Sequence, residues 1–201
     1  MCANYEGPSP ENKAELEKKA RQEMFGYVPH DHWMRPTNEG TIIMPVEDRL
    51  ECRQHRWGFH FVWDDRPYFN ARCETIKTKA FKSCIDNRCL VPARAFIEGG
   101  PTFYRPERDV FCFAGLWQDH KEHGLRFTIL TCEPNETVAP HKTRMPFILR
   151  DDHWLEWLRG DWEKVLAKPD LTALEKQEKI VPVKISKAKR AKPAEAQPGL
   201  L

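Results

Sequence analysis

The region between Thr41 and Cys132 constrains the fold most, because it consists of short strand-like runs separated by turn residues. The runs are rich in Phe, Val, Ile and Cys, and glycine or proline punctuates the gaps, as in the segment 98–101. Such a succession favours a bent or barrel-like sheet. The predicted strands cover residues 41–45, 56–63, 88–98, 102–105, 110–118 and 125–132.

Helical patterns lie on both sides of this region. Ser9 as N-cap and Pro10 in the first turn predict a helix that runs through residues 14–24 and stops near Gly26. Asp151 and Asp152 begin a second helix that ends at Gly160. Further predicted elements are helices at 161–167 and 170–178 and a last strand at 178–185. This order indicates an α+β domain with a barrel-like, mostly antiparallel β-core flanked by helices.

The length of 201 residues suits one well-buried domain, placed at residues 2–185, and 40% apolar content with seven tryptophans supports a real core. Residues 186–201 are polar, basic and rich in Ala and Pro, which predicts a disordered tail. We expect a monomer. A net charge of +2 does not by itself indicate a polyanion-binding protein, but arginines and lysines gather at 66–94 and 142–150.

The sequence predicts a cytoplasmic protein. No apolar run approaches the roughly 18–20 residues of a membrane span. The N-terminus lacks the basic and then apolar pattern of a secretory signal. The seven scattered cysteines are therefore expected to be reduced, mostly as small core residues, and Cys84 and Cys89 are too widely spaced for a usual zinc site. We expect no metal and no cofactor.

Cys2 offers unusual chemistry if Met1 is removed. Its α-amine would have a pKa of roughly 7.7–8.0, so a useful fraction is neutral and nucleophilic at pH 7. Amine and thiol on adjacent carbons form a 1,2-aminothiol, which captures an aldehyde first as an imine and then as a thiazolidine. Position alone favours the alternative that Cys2 is an ordinary leader residue.

Several motifs change that balance. The chain contains Asn70-Ala71-Arg72-Cys73-Glu74-Thr75, then the segment RCLVPA at 88–93 ending in Phe96-Ile97-Glu98, FAGLW at 113–117, and HKTRMPFIL at 141–149. Together with Met1-Cys2 this ordered set resembles the SRAP family, the SOS-response-associated peptidases. The resemblance runs from residue 2 to about residue 158. It implies a barrel-like α+β fold with a positively charged groove for single-stranded DNA, nucleoid association when on DNA, and covalent capture of abasic sites, whose open form is an aldehyde.

The resemblance implies four catalytic residues. Cys2 matches the family nucleophile, Asn70 is expected to bond near the sugar or the Cys2 amine, and Glu98 would carry protons. A partly buried Glu98 would have a raised pKa suited to that role. Gly99 departs from the pattern, because the family usually has tryptophan there.

The fourth residue is a histidine that opens the sugar ring. Counting back from Arg144 places Lys142 at the family position, whereas His141 lies one residue earlier. Either a one-residue shift presents His141 to the site, or Lys142 replaces it. We favour His141, because imidazole suits proton transfer near pH 7.

The DNA contacts implied by the family are Arg72 and Arg144 as phosphate clamps, Trp57 and Trp63 as candidate base-stacking residues, and Pro36 as a wedge. Core packing is an equal alternative for Trp57. The family arginine two residues after Cys2 is Asn4 here, which predicts weaker or less salt-sensitive binding.

The predicted function is recognition of abasic sites in single-stranded DNA, with a thiazolidine crosslink through Cys2 and AP-lyase activity as a side reaction. Two alternatives remain open. One is a self-processing cysteine peptidase, and the other is a non-covalent module for single-stranded DNA.

Overall fold

The computed structural model describes residues 4–30, 32–77 and 79–178. The helices are α1 (Asn12–Ala20), α2 (Lys79–Lys82), α3 (Trp154–Arg159) and α4 (Trp162–Leu166). The strands are β1 (Asn4–Glu6), β2 (Met24–Phe25), β3 (Trp33–Met34), β4 (Glu39–Val46), β5 (Arg49–Trp57), β6 (Phe59–Phe61), β7 (Asp64–Tyr68), β8 (Asn70–Arg72), β9 (Arg88–Ala93), β10 (Ala95–Ile97), β11 (Thr102–Tyr104), β12 (Phe111–His120), β13 (Gly124–Cys132), β14 (Met145–Pro146) and β15 (Glu175–Gln177). Short 3₁₀ turns cover Cys73–Thr75, Pro106–Arg108 and Asp151–His153.

The larger sheet closes on itself into a barrel. Its strands follow the order β13, β12, β9, β4 and β5, and β5 then pairs with β13 again. The pairings around this ring are antiparallel except the closing one, which is parallel and places Trp57 opposite Phe127. Their rings stack with centroids 6.2 Å apart. The predicted α+β fold with a barrel-like, mostly antiparallel core is confirmed.

A second sheet extends from the barrel in the order β15, β11, β10, β1 and β3. The chain passes from β9 through Arg94 directly into β10, so one barrel strand continues into this sheet. The N-terminal strand β1 lies in its interior, between β10 and β3. The start of the described chain is thus fixed against the strand that leads to Glu98.

The strand β9 is buried along its whole length. Helix α3 packs on it. The Trp157 indole N–H donates to the carbonyl of Cys89 at 2.9 Å and fixes the helix to the strand. In return, Arg88 donates to the carbonyl of Trp157 at 2.6 Å and to that of Leu158, where a cation is favourable at the C-terminal end of a helix. These contacts make β9 a rigid support for the residues that follow it.

Most predicted strands appear near their predicted positions, but the first helix differs. Helix α1 begins after Glu11 and not at Ser9, whose amide and hydroxyl both donate to the Asn12 side chain. It ends at Ala20, because Arg21 adopts a left-handed conformation, and the chain then enters β2 beside β5.

The helix predicted at 170–178 is wrong. Residues 175–177 form β15 at the edge of the second sheet, because pairing with β11 satisfies their backbone there. The helices predicted at 153–159 and 161–167 correspond to α3 and α4. The predicted last strand lies outside the described residues beyond Glu178, as does the whole tail at 186–201.

The cysteines in the described part of the chain form no disulfide, and all but Cys73 are buried, as expected for small core residues. Among these residues, no helix combines the length and apolar character needed to cross a membrane.

Candidate active site and nucleic-acid surface

The candidate site lies where β1 meets the end of β10. Asn4 is opposite Ile97 in this pairing, and Tyr5 is opposite Phe96. Glu98 therefore follows directly on the strand that is paired with the first described residues. Cys2 itself lies outside the described residues, two positions before Asn4.

Glu98 is a buried carboxyl group, with 3% of its surface exposed. Burial raises the pKa of Glu98, because the charged form loses hydration, and the positive charge of Lys142 partly opposes this effect. A carboxyl group in such surroundings can exchange a proton nearer neutral pH than an exposed glutamate.

The segment that carries His141 passes directly over Gly99. A Cβ atom on Gly99 would lie 2.9 Å from the His141 carbonyl carbon and closer still to its oxygen. Gly99 also has a φ of +63°, which glycine adopts readily. The residue that departs from the family pattern therefore allows this segment to approach Glu98.

The two candidates for the family histidine point to different neighbours. The His141 ring lies 5.7 Å from the Phe103 ring, and its Nε2 is 3.3 Å from Nζ of Lys176. Lys142 is exposed, and its charge acts on Glu98. Both residues thus belong to the neighbourhood of Glu98, His141 through its backbone and Lys142 through its charge.

Asn70 is connected to the same region through aromatic side chains. It begins β8, which pairs with β13 at Ile129, and it is half-buried. The carbonyl of the preceding Phe69 accepts a hydrogen bond from the Trp57 indole at 2.7 Å. Trp57 in turn packs against Tyr5, with ring centroids 5.3 Å apart. Tyr5 lies on β1, which pairs with the strand leading to Glu98. Its packing against Trp57 therefore connects that strand to the residue that precedes Asn70.

Trp57 belongs to the core. Its side chain is completely buried at the barrel closure, so a nucleobase cannot stack on it. This corrects the DNA-stacking role and favours the core-packing alternative. Its role is to seal the ring of strands and to hold the Phe69 carbonyl.

Trp63 has the opposite environment, with 63% of its surface exposed at the tip between β6 and β7. One face stacks on Phe61 at 4.7 Å with an interplanar angle of 11°. An exposed ring that is supported on one face by a second aromatic ring suits stacking on a base.

Pro36 is half-buried in a turn in which the amide of Asn38 donates to the carbonyl of Arg35. The next residue, Thr37, has a φ of +74°, which is strained for a β-branched side chain. Its amide donates to the carbonyl of Trp57, so the barrel closure holds the turn in place.

The two candidate phosphate clamps both lie beside Thr131 of β13. Arg72 is opposite Thr131 and is exposed. Arg144 donates to the carbonyl of Thr131 and makes a bidentate ion pair with Glu74, at 2.6 and 2.9 Å. Arg144 thus joins the motif at 70–75 to the motif at 141–149, and part of its hydrogen-bonding capacity is already used.

Sequence reasoning missed two residues of this region. Glu74 lies within a recognised motif, and a search for a carboxylate partner of Arg144 could have found it. Lys176 lies in the segment mistaken for a helix, and only the pairing of β15 with β11 brings it to His141.

Comparison with known proteins identifies the family. A family model described as "SOS response associated peptidase (SRAP)" matches residues 1–188. The chain belongs to the SRAP family. This conclusion confirms the resemblance carried by the motifs.

Curated relatives include two proteins of Bacillus subtilis (strain 168). Abasic site processing protein YoaM is 38% identical over 123 residues, which cover 51% of this chain and 54% of that protein. Abasic site processing protein YoqW is 35% identical over the same length, covering 51% and 55%. The matched part spans about half the length of these relatives.

Solved structures share the fold of this chain. A protein from Bordetella bronchiseptica superposes with a TM-score of 0.71 at 21% identity, covering 88% of this chain and 99% of that one. A phage-related protein from the same organism gives a TM-score of 0.73 at 19% identity, covering 89% and 94%.

Proposed function

We propose that this protein recognises abasic sites in single-stranded DNA and captures them covalently through Cys2. The observation that carries the proposal is the antiparallel pairing of β1 with β10, in which Asn4, two residues after Cys2, lies opposite Ile97, the residue before the buried Glu98. Chain geometry keeps the Cα of Cys2 within about 7.6 Å of that of Asn4. The names of the relatives supply the substrate class, because abasic sites carry the aldehyde that a 1,2-aminothiol traps.

The chemistry proceeds in balanced steps after removal of Met1. The sugar ring opens when His141 gives a proton to the ring oxygen and the C1′ hydroxyl releases its own proton to solvent, which exposes the C1′ aldehyde. The neutral Cys2 amine adds to this carbon, and the carbinolamine then loses water to form an imine, with Glu98 moving the protons. The thiol adds to the imine carbon while its proton passes to nitrogen, which closes the thiazolidine. Overall, one water molecule is released.

AP-lyase activity competes at the imine. Because the imine draws electrons from C1′, a proton on C2′ becomes acidic, and its removal expels the 3′ phosphate by β-elimination. Fast attack by the thiol suppresses this reaction. The expected role of Asn70 is a hydrogen bond to the sugar or to the Cys2 amine.

DNA is held by the exposed Trp63, by Pro36 and by the arginine pair Arg72 and Arg144. Trp63 would stack on a base beside the lesion, a contact worth about 1–3 kcal/mol in proteins of this kind. The ion pair with Glu74 leaves Arg72 as the more available of the two arginines.

A denaturing gel with an abasic-site oligonucleotide tests the proposal. Wild-type protein whose intact mass confirms loss of Met1 should give an adduct that survives heat and SDS. Cys2→Ser keeps the amine but replaces the thiol, so its adduct should appear only after borohydride reduction. Cys73→Ala serves as a matched control, since this half-buried thiol lies in a candidate motif yet has no assigned role.

The outcomes separate the alternatives. A non-covalent DNA-binding module would shift the oligonucleotide on a native gel but leave no adduct. A self-processing peptidase would remove its own leader and give no adduct either. A stable adduct from Cys2→Ala as strong as that of wild type would refute the role of Cys2.

The same assay decides between His141 and Lys142. With His141 as the acid, His141→Gln should slow adduct formation by about 100-fold, within the usual range for general acid catalysis. Lys142→Gln should then have a smaller effect, through loss of its charge near Glu98. The reverse order would assign the role to Lys142.

A further inference from the structure

The side chain of Lys176 reaches the candidate acid from an unexpected part of the chain. It lies on β15, which pairs with β11 so that Lys176 is opposite Phe103. The buried Phe103 ring contacts the His141 ring, and Lys176 Nζ lies 3.3 Å from His141 Nε2. The edge of the second sheet therefore forms a binding position, here called the seat, for the His141 imidazole, which contacts the Phe103 ring and the Lys176 amino group.

The chemistry of these groups determines which nitrogen of the ring carries the proton. A lysine ammonium has three donors and no acceptor. Glu178 lies 3.2 Å from the same Nζ and forms an ion pair with it. Because Lys176 then donates, His141 Nε2 must accept, and the proton of the neutral imidazole belongs on Nδ1.

We infer that Lys176 is a positioning residue that holds His141 as the Nδ1-protonated tautomer, with Nδ1–H as the ring's one proton donor. A free histidine samples both tautomers and several ring orientations, so this seat would fix both choices before DNA binds. The consequence for sugar-ring opening, in which Nδ1 gives its proton to the ring oxygen and Nε2 takes one from solvent, rests on the proposed function. The tautomer itself does not.

Nitrogen NMR of full-length protein labelled with ¹⁵N-histidine tests the tautomer without DNA. The His141 signals are assigned by their loss in His141→Gln. In the wild type at neutral pH, Nδ1 should show the shift of a protonated nitrogen and Nε2 that of an unprotonated one. Lys176→Met should abolish this preference, and Lys176→Arg should retain it, because arginine also only donates. A wild-type ring protonated on Nε2 would overturn the inference.

Adduct formation provides the second readout. Lys176→Met should slow it by about 10-fold, since losing the orientation of a catalytic group costs part of its rate contribution. Lys176→Arg should stay within about twofold of the wild type. In the His141→Gln background, Lys176→Met should add no further loss.

These results also distinguish this inference from its main competitor, a direct contact of Lys176 with a DNA phosphate. That contact would slow the His141→Gln protein as much as the wild type, and its effect would fade at high salt. Either outcome would refute the inference that Lys176 acts by positioning the His141 ring. If the wild type forms no adduct at all, the proposed function fails, while the NMR result still decides the tautomer. Lys176 has 45% of its side chain exposed on an edge strand, so both variants should fold, as thermal melts will confirm.

Discussion

Replacing Gly99 with alanine should displace the segment that carries His141 and slow adduct formation. The loss of unfolding free energy should be no larger than that of a control substitution at another glycine. The new Cβ would lie 2.9 Å from the His141 carbonyl carbon and 3.1 Å from its Cβ, so the clash involves backbone that cannot rotate away. The positive φ of +63° adds about 1 kcal/mol, since alanine disfavours this conformation. Gly124→Ala is the matched control, because Gly124 has a φ of +67° and open space around the added atom.

The clash should be relieved by movement of the His141 segment. Compressing a packed contact costs about 1–3 kcal/mol, and displacement of a surface segment is the less costly response. We therefore expect both variants to lose about 1–2 kcal/mol of unfolding free energy in urea. Gly99→Ala alone should form the abasic-site adduct about 100-fold more slowly, the usual effect of misplacing a reacting group by about 1 Å.

The comparison has a clear refuting result. If Gly99→Ala forms the adduct at the wild-type rate while Gly124→Ala behaves as expected, the His141 segment does not need its close approach to Glu98. If both variants lose crosslinking equally, general destabilisation explains the effect and the contact with Gly99 does not.

Three further predictions concern acid stability, salt dependence and stacking. Burial lowers the pKa of His55 to about 4, below its unfolded value of about 6.5, so the unfolded chain binds the proton first. Stability should fall by up to about 3 kcal/mol as the pH drops from about 6.5 to about 4, and His55→Phe should flatten this loss in urea titrations. Glu74→Gln should free Arg144 and steepen the salt dependence of single-strand binding by about 0.7 in the log–log slope measured by anisotropy. Trp63→Ala should weaken binding by about 1–3 kcal/mol at unchanged stability, whereas Trp57→Ala should cost about 3–5 kcal/mol of stability.

Each of these has a contrary result. An acid-stability profile identical in His55→Phe would place the responsible proton elsewhere. A salt slope unchanged by Glu74→Gln would mean that Arg144 stays away from phosphate. Equal binding by Trp63→Ala and the wild type would remove the stacking role from the hairpin tip.

The sequence predicted the barrel class and the order of most strands, because runs such as 88–93 and 125–132 carry strong local signals. It could not show that Trp57 is buried in the core whereas Trp63 is exposed. Their burial differs because Trp57 meets Phe127 at the barrel closure, about 70 residues away in the chain. Lys176 illustrates the same limit, since its segment has no strand pattern and becomes a strand only through pairing with β11.

The place of β1 inside the second sheet has a consequence for biosynthesis. Both of its neighbours must exist before β1 can be enclosed between them, and β10 ends only at Ile97. At about 5–20 residues per second, roughly 5–20 s pass on the ribosome before that strand is complete. Removal of Met1 needs an extended, accessible terminus, so we expect it to occur in this interval. Intact-mass analysis of pulse-labelled protein should therefore show that the share of chains without Met1 is already constant in the youngest full-length protein.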